Sequence, residues 1–378
     1  MKLWFVNSRE PASLTVALQI AFIGTRGVPS SYSGFETCVE QVGRRLVERG
    51  HEVTVFCRTT HYRQRPDRYL GMRLVYLPAV RQKHLETLSH TALSALRIPS
   101  RAAVVCMGVG NAPVVRAMEI GGRRTVFNVD GADWQREKWG RFASWYLRTC
   151  EKLAAGGRSA VLADAEAVRR YYQEVYGRDT EVVAYGADPP ADRGTDTLVK
   201  FGLEPGRYML FVGRLVPENA PHDFLKGVLL SGVAAPAVVV GDSSYADDYK
   251  AGLRSTAPVS AVFTGYQFGV AYQQLSSHAG LFVLAATVGG THPVLVEQMA
   301  AGNAIVARET ESNREVLGDA GIYWETPEQL GQLLAGIWPD EAKRRALGTA
   351  ARKRALERYN WEEVTDRYLE MCRKSLAR

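Results

Sequence analysis

The stretch Leu18–Glu36, LQIAFIGTRGVPSSYSGFE, decides the fold. It opens on an apolar, β-branched run of strand length, turns through Gly24 and Gly27, and reaches Gly34 at the start of a segment with helical spacing. In that segment Phe35, Val39, Val42 and Leu46 share one helical face, and Gly50 is placed to end the helix. Strand, glycine turn and helix in this order form the opening of a parallel α/β unit. Glycines at such a turn let backbone N–H groups come close to a diphosphate, and the amino end of the helix adds partial positive charge. A plain tight turn would show the same residues. The spacing is not G-x-G-x-x-G, and Cys57 and Arg58 stand where a nicotinamide site would keep an acidic ribose ligand, which argues against an oxidoreductase.

Outward from this stretch the same rhythm runs the length of the chain. HEVTVFC, MRLVYLP, AAVVCMG, RTVFNVD, SAVLADA and EVVAYGA read as further strands of a first half. RYMLFVG, PAVVVGD, AVFTGY, GLFVLAA and NAIVARE restart the pattern in a second half. Between them Pro189–Gly206, rich in Pro, Gly and Asp, is the best linker. Residues from Asp340 onward read as one or two helices with no strand after them. The expected organisation is an extension over 1–17, a first α/β domain over 18–190, a second over 191–360, and a carboxyl-terminal helix over 361–378 suited to packing across both. A length of 378 residues fits two domains of ordinary size. Two parallel sheets in tandem place a ligand in the cleft between their carboxyl ends.

Composition narrows the class. The chain is 46% hydrophobic and 23% charged, enough for real cores and unlike a disordered chain. No apolar run reaches the roughly 20 residues of a membrane span, and the amino terminus lacks a secretory-type apolar stretch, so a cytoplasmic protein is expected. Five widely spaced cysteines with no C-x-x-C pair read as buried thiols in a reducing compartment. The net charge of +7 is uneven: residues 1–190 hold 27 Lys+Arg against 18 Asp+Glu, and the remainder holds 20 against 22. Nine of those cations lie between Arg58 and Arg101 with Tyr62, Tyr69 and Tyr76 interleaved. Such a patch suits an anionic membrane or a phosphate-bearing substrate; a solvated arginine-rich face is its commoner meaning.

Two motifs of the second half carry further chemistry. FVGRLVPEN sets Arg214 just past a strand end, and a guanidinium suits a leaving diphosphate because it stays charged and binds two oxygens at once. TVGGTHPVLVEQMAAGN joins Gly289, Gly290 and Thr291 at a helix start to Glu297 about two turns on. This helix start is a second phosphate cradle, and the Glu297 carboxylate is suited to accept from ribose hydroxyls.

Together, IAFIGTRGVPSSYSGFET, NVDGADWQREKWG, LADAEAVRRYY, FVGRLVPEN, VGGTHPVLVEQMAAGN and NREVLGDAG resemble the bacterial rhamnosyltransferase-type branch of glycosyltransferase family 4, from about Ile20 to the carboxyl terminus. The resemblance implies a GT-B fold of two Rossmann-like domains. It also implies transfer with retention from a nucleotide sugar, with dTDP-L-rhamnose the branch's donor, and neither metal nor other cofactor. It places Gly24, Gly27 and Gly34 in the donor phosphate site and makes Arg214 the diphosphate partner. Gly289, Gly290 and Thr291 become backbone donors to the diphosphate and Glu297 the ribose ligand. Asp130 falls at the reacting sugar, or else serves as a turn residue. Trp134, Arg136 and Lys138, with Trp139, look like acceptor-side residues, although Trp at helical spacing also suits a core. Gly289 stands where many family members have a second glutamate, and Asn219 near a usual basic residue; both suit this branch. Deoxythymidine offers Glu297 one ribose hydroxyl, where uridine or guanosine offers two.

The expected partners are therefore a nucleotide-sugar donor and a saccharide, lipid-linked or small-molecule acceptor, with no nucleic acid. The basic first domain would sit against the inner face of a membrane. A UDP- or GDP-sugar donor, a sugar epimerase on the same fold, and a catalytically inactive partner protein with Ala285 and Ala286 before the glycine pair are the alternatives.

Overall fold

The structure is a computed structural model that describes residues 16–30, 34–82, 85–129, 141–243 and 246–377. The first half runs β1 (Gln19–Ile23), α1 (Gly34–Glu48), β2 (Glu52–Arg58), β3 (Arg68–Tyr69), β4 (Met72–Leu77), α2 (Glu86–Ala95), β5 (Ala103–Met107) and α3 (Ala112–Ile120). It continues through β6 (Val126–Asn128), α4 (Arg141–Ala155), β7 (Ala160–Ala163), α5 (Glu166–Tyr176) and β8 (Glu181–Val182). The second half runs α6 (Asp196–Lys200), β9 (Met209–Val212), α7 (Pro221–Ser231), β10 (Ala237–Val240), α8 (Asp247–Thr256), β11 (Ala261–Gly265), α9 (Gly269–Ser277) and β12 (Leu281–Leu284). After these come α10 (Pro293–Ala301), β13 (Ile305–Arg308), α11 (Glu311–Leu317), β14 (Ile322–Trp324), α12 (Pro327–Ile337), α13 (Glu341–Arg358) and α14 (Trp361–Leu376).

The strands form two sheets, ordered β3-β4-β2-β1-β5-β6-β7-β8 and β11-β10-β9-β12-β13-β14. All pairings within them are parallel except the short β3–β4 hairpin. The α/β expectation of two parallel-sheet layers is met. In both sheets the order reverses beside the first strand of the half, β1 and β9, where a doubly wound sheet opens a crevice.

Alternation along β1 builds the first core on both faces. Ile20 and Phe22 pack with Val39, Val42 and Leu46 of α1 and with Trp361 and Tyr368 of α14. Ala21 and Ile23 pack on the other side with Val115 of α3, Leu147 of α4 and Tyr172 of α5. The second sheet is enclosed likewise, Leu210 and Phe282 facing α10 and α13, Phe211 and Val283 facing α7 and α12. Strands covered on both faces read as continuous apolar runs, and AVVCM of β5 is buried throughout.

The chain crosses between the sheets twice. After β8 it passes through Gly186 and Ala187 into the second half. After α13 it returns, and α14 lies along α1 on the first sheet. Arg45 of α1 fixes this return: its guanidinium donates to both Asp188 oxygens at 2.9 and 2.8 Å and to Glu362 at 2.8 Å. Arg49 adds bonds to Glu362 and Asp366, both at 2.6 Å. Deeper in, the Tyr368 hydroxyl accepts from Asn128 at 2.9 Å.

All five cysteines are free and buried. Burial pushes Cys38, Cys57 and Cys372 up to about 12 and Cys150 up to about 11. None of the described helices is long and apolar enough to cross a membrane.

Candidate active site in the cleft between the sheets

The turn after β1 carries Gly24 and Gly27 at φ +93° and +117°, a conformation that a side chain would strain. Both glycines also press on neighbouring chain. A Cβ on Gly24 would strike the Met107 carbonyl, and one on Gly27 would lie 2.5 Å from Cys57 Sγ. Two glutamates one turn apart on α1 hold the loop. Glu36 accepts from the Arg26 amide at 2.9 Å, Glu40 from the Ser30 amide at 2.7 Å, and Thr25 Oγ1 from the Gly27 amide at 3.2 Å. Three amides of the loop are thus spent, two on α1 and one on Thr25. Burial pushes the Glu40 carboxyl above its ordinary value, an effect the Ser30 amide opposes.

Across the cleft the start of α10 is built differently. Its first-turn amides at Leu295 and Val296 reach the His292 carbonyl, while those of Gly289, Gly290 and Thr291 have no acceptor among the described residues. The loop is seated against the first half: Thr291 Oγ1 donates to the Asp164 carbonyl at 2.5 Å, and a Cβ on Gly290 would collide with the Asp164 carboxylate. Gly34 at the start of α1 meets Pro293 at the start of α10, where an added Cβ would lie 2.7 Å from the proline ring. The amino ends of two helices therefore converge on one point, each contributing partial positive charge.

Arg214 belongs to the same neighbourhood. Its turn is fixed by Asn219, whose amide donates to the Arg214 carbonyl at 2.9 Å. It is stapled to the glycine loop where the Glu218 carbonyl accepts from Thr287 N at 2.9 Å and Thr287 Oγ1 at 3.1 Å. The Arg214 guanidinium, half-buried, makes no hydrogen bond or ion pair among the described residues. Asn219 is thus a builder of the turn that carries the cation.

Glu297 lies on the second turn of α10, half-buried, and accepts from Tyr272 Oη at 2.5 Å. Burial pushes its carboxyl up to about 7, against the pull of that hydrogen bond. Such a group holds its charge reluctantly until a donor arrives.

The structure seats Gly290 and Thr291 against Asp164 and Gly34 against Pro293 at the same helix start, with Arg214 joined to the glycine loop through Glu218 and Thr287. Gly24 and Gly27 shape the neighbouring loop. Asp130, Trp134, Arg136 and Lys138 lie outside the described residues, as does Trp139. Sequence reasoning missed three site residues. Asp164 stands just past the end of β7 as a polar residue in LADA, a signal of the same kind as the one that flagged Arg214. Tyr272 and Glu315 gave none. Glu315 of α11 caps α5 across the cleft, accepting from the amides of Glu166 at 2.9 Å and Ala167 at 3.3 Å. The basic patch is partly structural: Arg58 is buried, bonded to Thr87 at 2.9 Å and 3.4 Å from Glu86, which also binds His61 at 2.7 Å. Among the described residues no three His, Cys, Asp or Glu side chains converge to hold a metal.

Two facing parallel-sheet domains with the helix ends and the cation in the cleft are the GT-B architecture of glycosyltransferases. Sucrose-phosphate synthase from Thermosynechococcus elongatus superposes over 95% of this chain and 99% of its own with a TM-score of 0.79 at 16% identity. Anabaena HepE in complex with UDP and glucose superposes over 94% and 100% with a TM-score of 0.77 at 17% identity. Residues 33–186 match the glycosyl transferase 4-like domain and residues 198–354 the glycosyl transferases group 1 family, so the chain belongs to the family 4 glycosyltransferases. Alpha-maltose-1-phosphate synthase from Mycolicibacterium smegmatis is 25% identical over 280 residues, 65% of this chain and 70% of that one. The Mycobacterium tuberculosis enzyme of the same name is 25% identical over 281 residues.

Proposed function

We propose that this chain transfers a sugar from a nucleoside-diphosphate sugar to a hydroxyl acceptor with retention at the anomeric carbon. The observation that carries the reading is the pairing of three amides before α10 with the Arg214 guanidinium, none of which has a hydrogen-bond partner among the described residues, on two chain segments stapled to one another. In same-face transfer the leaving diphosphate gathers charge as the glycosidic bond to it lengthens. It must be neutralised, and it takes the acceptor's proton. Fixed dipoles and a cation aimed at that charge stabilise the transition state without reorganising. The Gly289–Thr291 amides and Arg214 meet this need, Glu297 holds the ribose, and the first domain receives the acceptor.

The sequence resemblance favours dTDP-L-rhamnose as donor and a metal-independent reaction. A UDP-sugar is the second reading, supported by the structural likeness to HepE, whose complex with UDP-glucose is similar to this chain at a TM-score of 0.74. The cation excess of the first domain supports peripheral contact with the inner face of an anionic membrane carrying a lipid-linked acceptor, as does Trp145 exposed on α4 with Arg148 and Lys152. Thermal-shift titration with dTDP, UDP, GDP, ADP and NAD tests the donor, since a ligand that binds only the native state raises its apparent stability. A selective dTDP shift is expected. A UDP or GDP preference replaces the sugar, stabilisation by NAD alone ends the transferase reading, and nucleotide binding without donor hydrolysis indicates an inactive partner.

A further inference from the structure

Glu297 is already engaged before any nucleotide arrives. Tyr272 on α9 gives its hydroxyl proton to Oε2 at 2.5 Å, and the same hydroxyl oxygen accepts from Gln298 Nε2 at 3.2 Å. Gln298 is fully buried, and its amide also donates to Ser276 Oγ at 2.8 Å. Its own carbonyl accepts from Asn303 Nδ2 at 2.6 Å, and Asn303 reaches on to the Ser276 carbonyl at 2.8 Å. This chain of amides holds the phenol in place. Swinging it away would strip Gln298 of an acceptor and leave Glu297 without a donor inside a partly desolvated site. The second carboxylate oxygen, Oε1, has no partner among the described residues.

A vicinal diol is held best by a carboxylate when each hydroxyl has an oxygen to itself. Here one oxygen already accepts a short bond. We propose that Tyr272 makes Glu297 a receptor for a single ribose hydroxyl, so that the site tolerates 2′-deoxyribonucleoside diphosphates as well as their ribose counterparts. The inference rests on the reading of α10 as the donor site and adds a positioning residue that sets the sugar selectivity of nucleotide recognition. Tyr272 acts through Glu297 and need not touch the donor. Burial, and then the neighbouring carboxylate, push the Tyr272 hydroxyl well above its ordinary range, so it remains a proton donor wherever the protein is folded.

The test is calorimetric titration of the full chain at pH 8 with the matched pairs ribothymidine diphosphate and dTDP, UDP and dUDP, and GDP and dGDP, each differing only at the 2′ position. For the pair that binds, the wild-type dissociation constants should agree within about threefold, while Tyr272→Phe, which frees Oε2, should favour the ribonucleotide by about tenfold, the scale of one hydrogen bond to a charged group. A wild-type preference for the ribonucleotide of tenfold or more overturns the inference, as does a folded Tyr272→Phe protein with an unchanged ratio. Should the variant fail to fold, the wild-type ratio alone decides. Absence of binding by all six nucleotides instead removes the donor-site reading on which the inference rests.

Discussion

Replacing Glu297 by glutamine should stabilise the protein above neutral pH and leave it nearly unchanged near pH 5. The carboxyl is pushed from an ordinary 4.5 to about 7, chiefly by burial. Between those values the folded state binds more protons at this position than the unfolded state does. Stability therefore falls as pH rises from about 4.5 to about 7 and is flat above. A displacement of this size corresponds to about 3 kcal/mol, and solvent on the open side of a half-buried group reduces it to about 2–3 kcal/mol. Glutamine preserves the shape and can still accept from Tyr272, but it has no charge to desolvate. For a domain of this size the difference appears as about 4–10 °C in melting temperature at pH 8. Differential scanning fluorimetry of both proteins from pH 5 to pH 8 isolates it, because every other titrating group is common to the two. A melting difference that does not change with pH, or a variant less stable throughout, refutes the account of Glu297 as a desolvated carboxylate. Saturating nucleotide should narrow the gap, since ribose hydroxyls restore what burial removed.

Arg214→Ala should lower turnover by about 10²–10³, the cost of one lost donor to a developing oxyanion, with a melting temperature close to wild type because the side chain makes no hydrogen bond or ion pair among the described residues; near-wild-type turnover in a steady-state assay would rule out its role at the diphosphate. Gly290→Ala places a methyl into the Asp164 carboxylate and should force the two halves apart, weakening nucleotide binding more than tenfold by calorimetry while each half keeps its far-ultraviolet circular dichroism. Arg45→Leu removes the bonds to Asp188 and Glu362, whose carboxylates are half-exposed and can rehydrate, so a loss of about 2–3 kcal/mol is expected. Hydrogen exchange in that variant should quicken across α14 before it does in β1.

The site depends on a return journey of the chain. The second half supplies the unspent amides and the cation, the first half supplies Asp164 and the closed face of α1, and α14 ties the last residues back to the first sheet. Substitutions at Gly34, Gly290 or Glu315 act on the fit between halves and should be read as changes of closure.

The sequence by itself determined the local pattern. Apolar runs of four to seven residues separated by glycine turns placed β1, β2, β4, β5, β9, β10 and β12 within a residue or two, because a strand buried on both faces has to be apolar throughout. β3 and β14 escaped, one too short at two residues and the other, IYW, too short at three to show a period. EVVAYGA read as a full strand, yet only Glu181 and Val182 pair, since at the sheet edge the chain turns away toward α14. Glycine pairs and helix spacing likewise marked Gly289–Thr291 and Glu297. What only the tertiary structure decided was which polar groups are already spent. The Gly24–Ser30 loop and the Gly289–Thr291 turn look alike as strings, but Glu36 and Glu40 consume amides of the first while those of the second meet no acceptor among the described residues. Asp164 meets a loop 127 residues away, and Tyr272 reaches Glu297 from another helix, 25 residues off in sequence. Backbone periodicity is written in near neighbours, whereas hydrogen-bond satisfaction depends on whatever the folded chain brings within 3 Å, and that is fixed only when both sheets and α14 are in place.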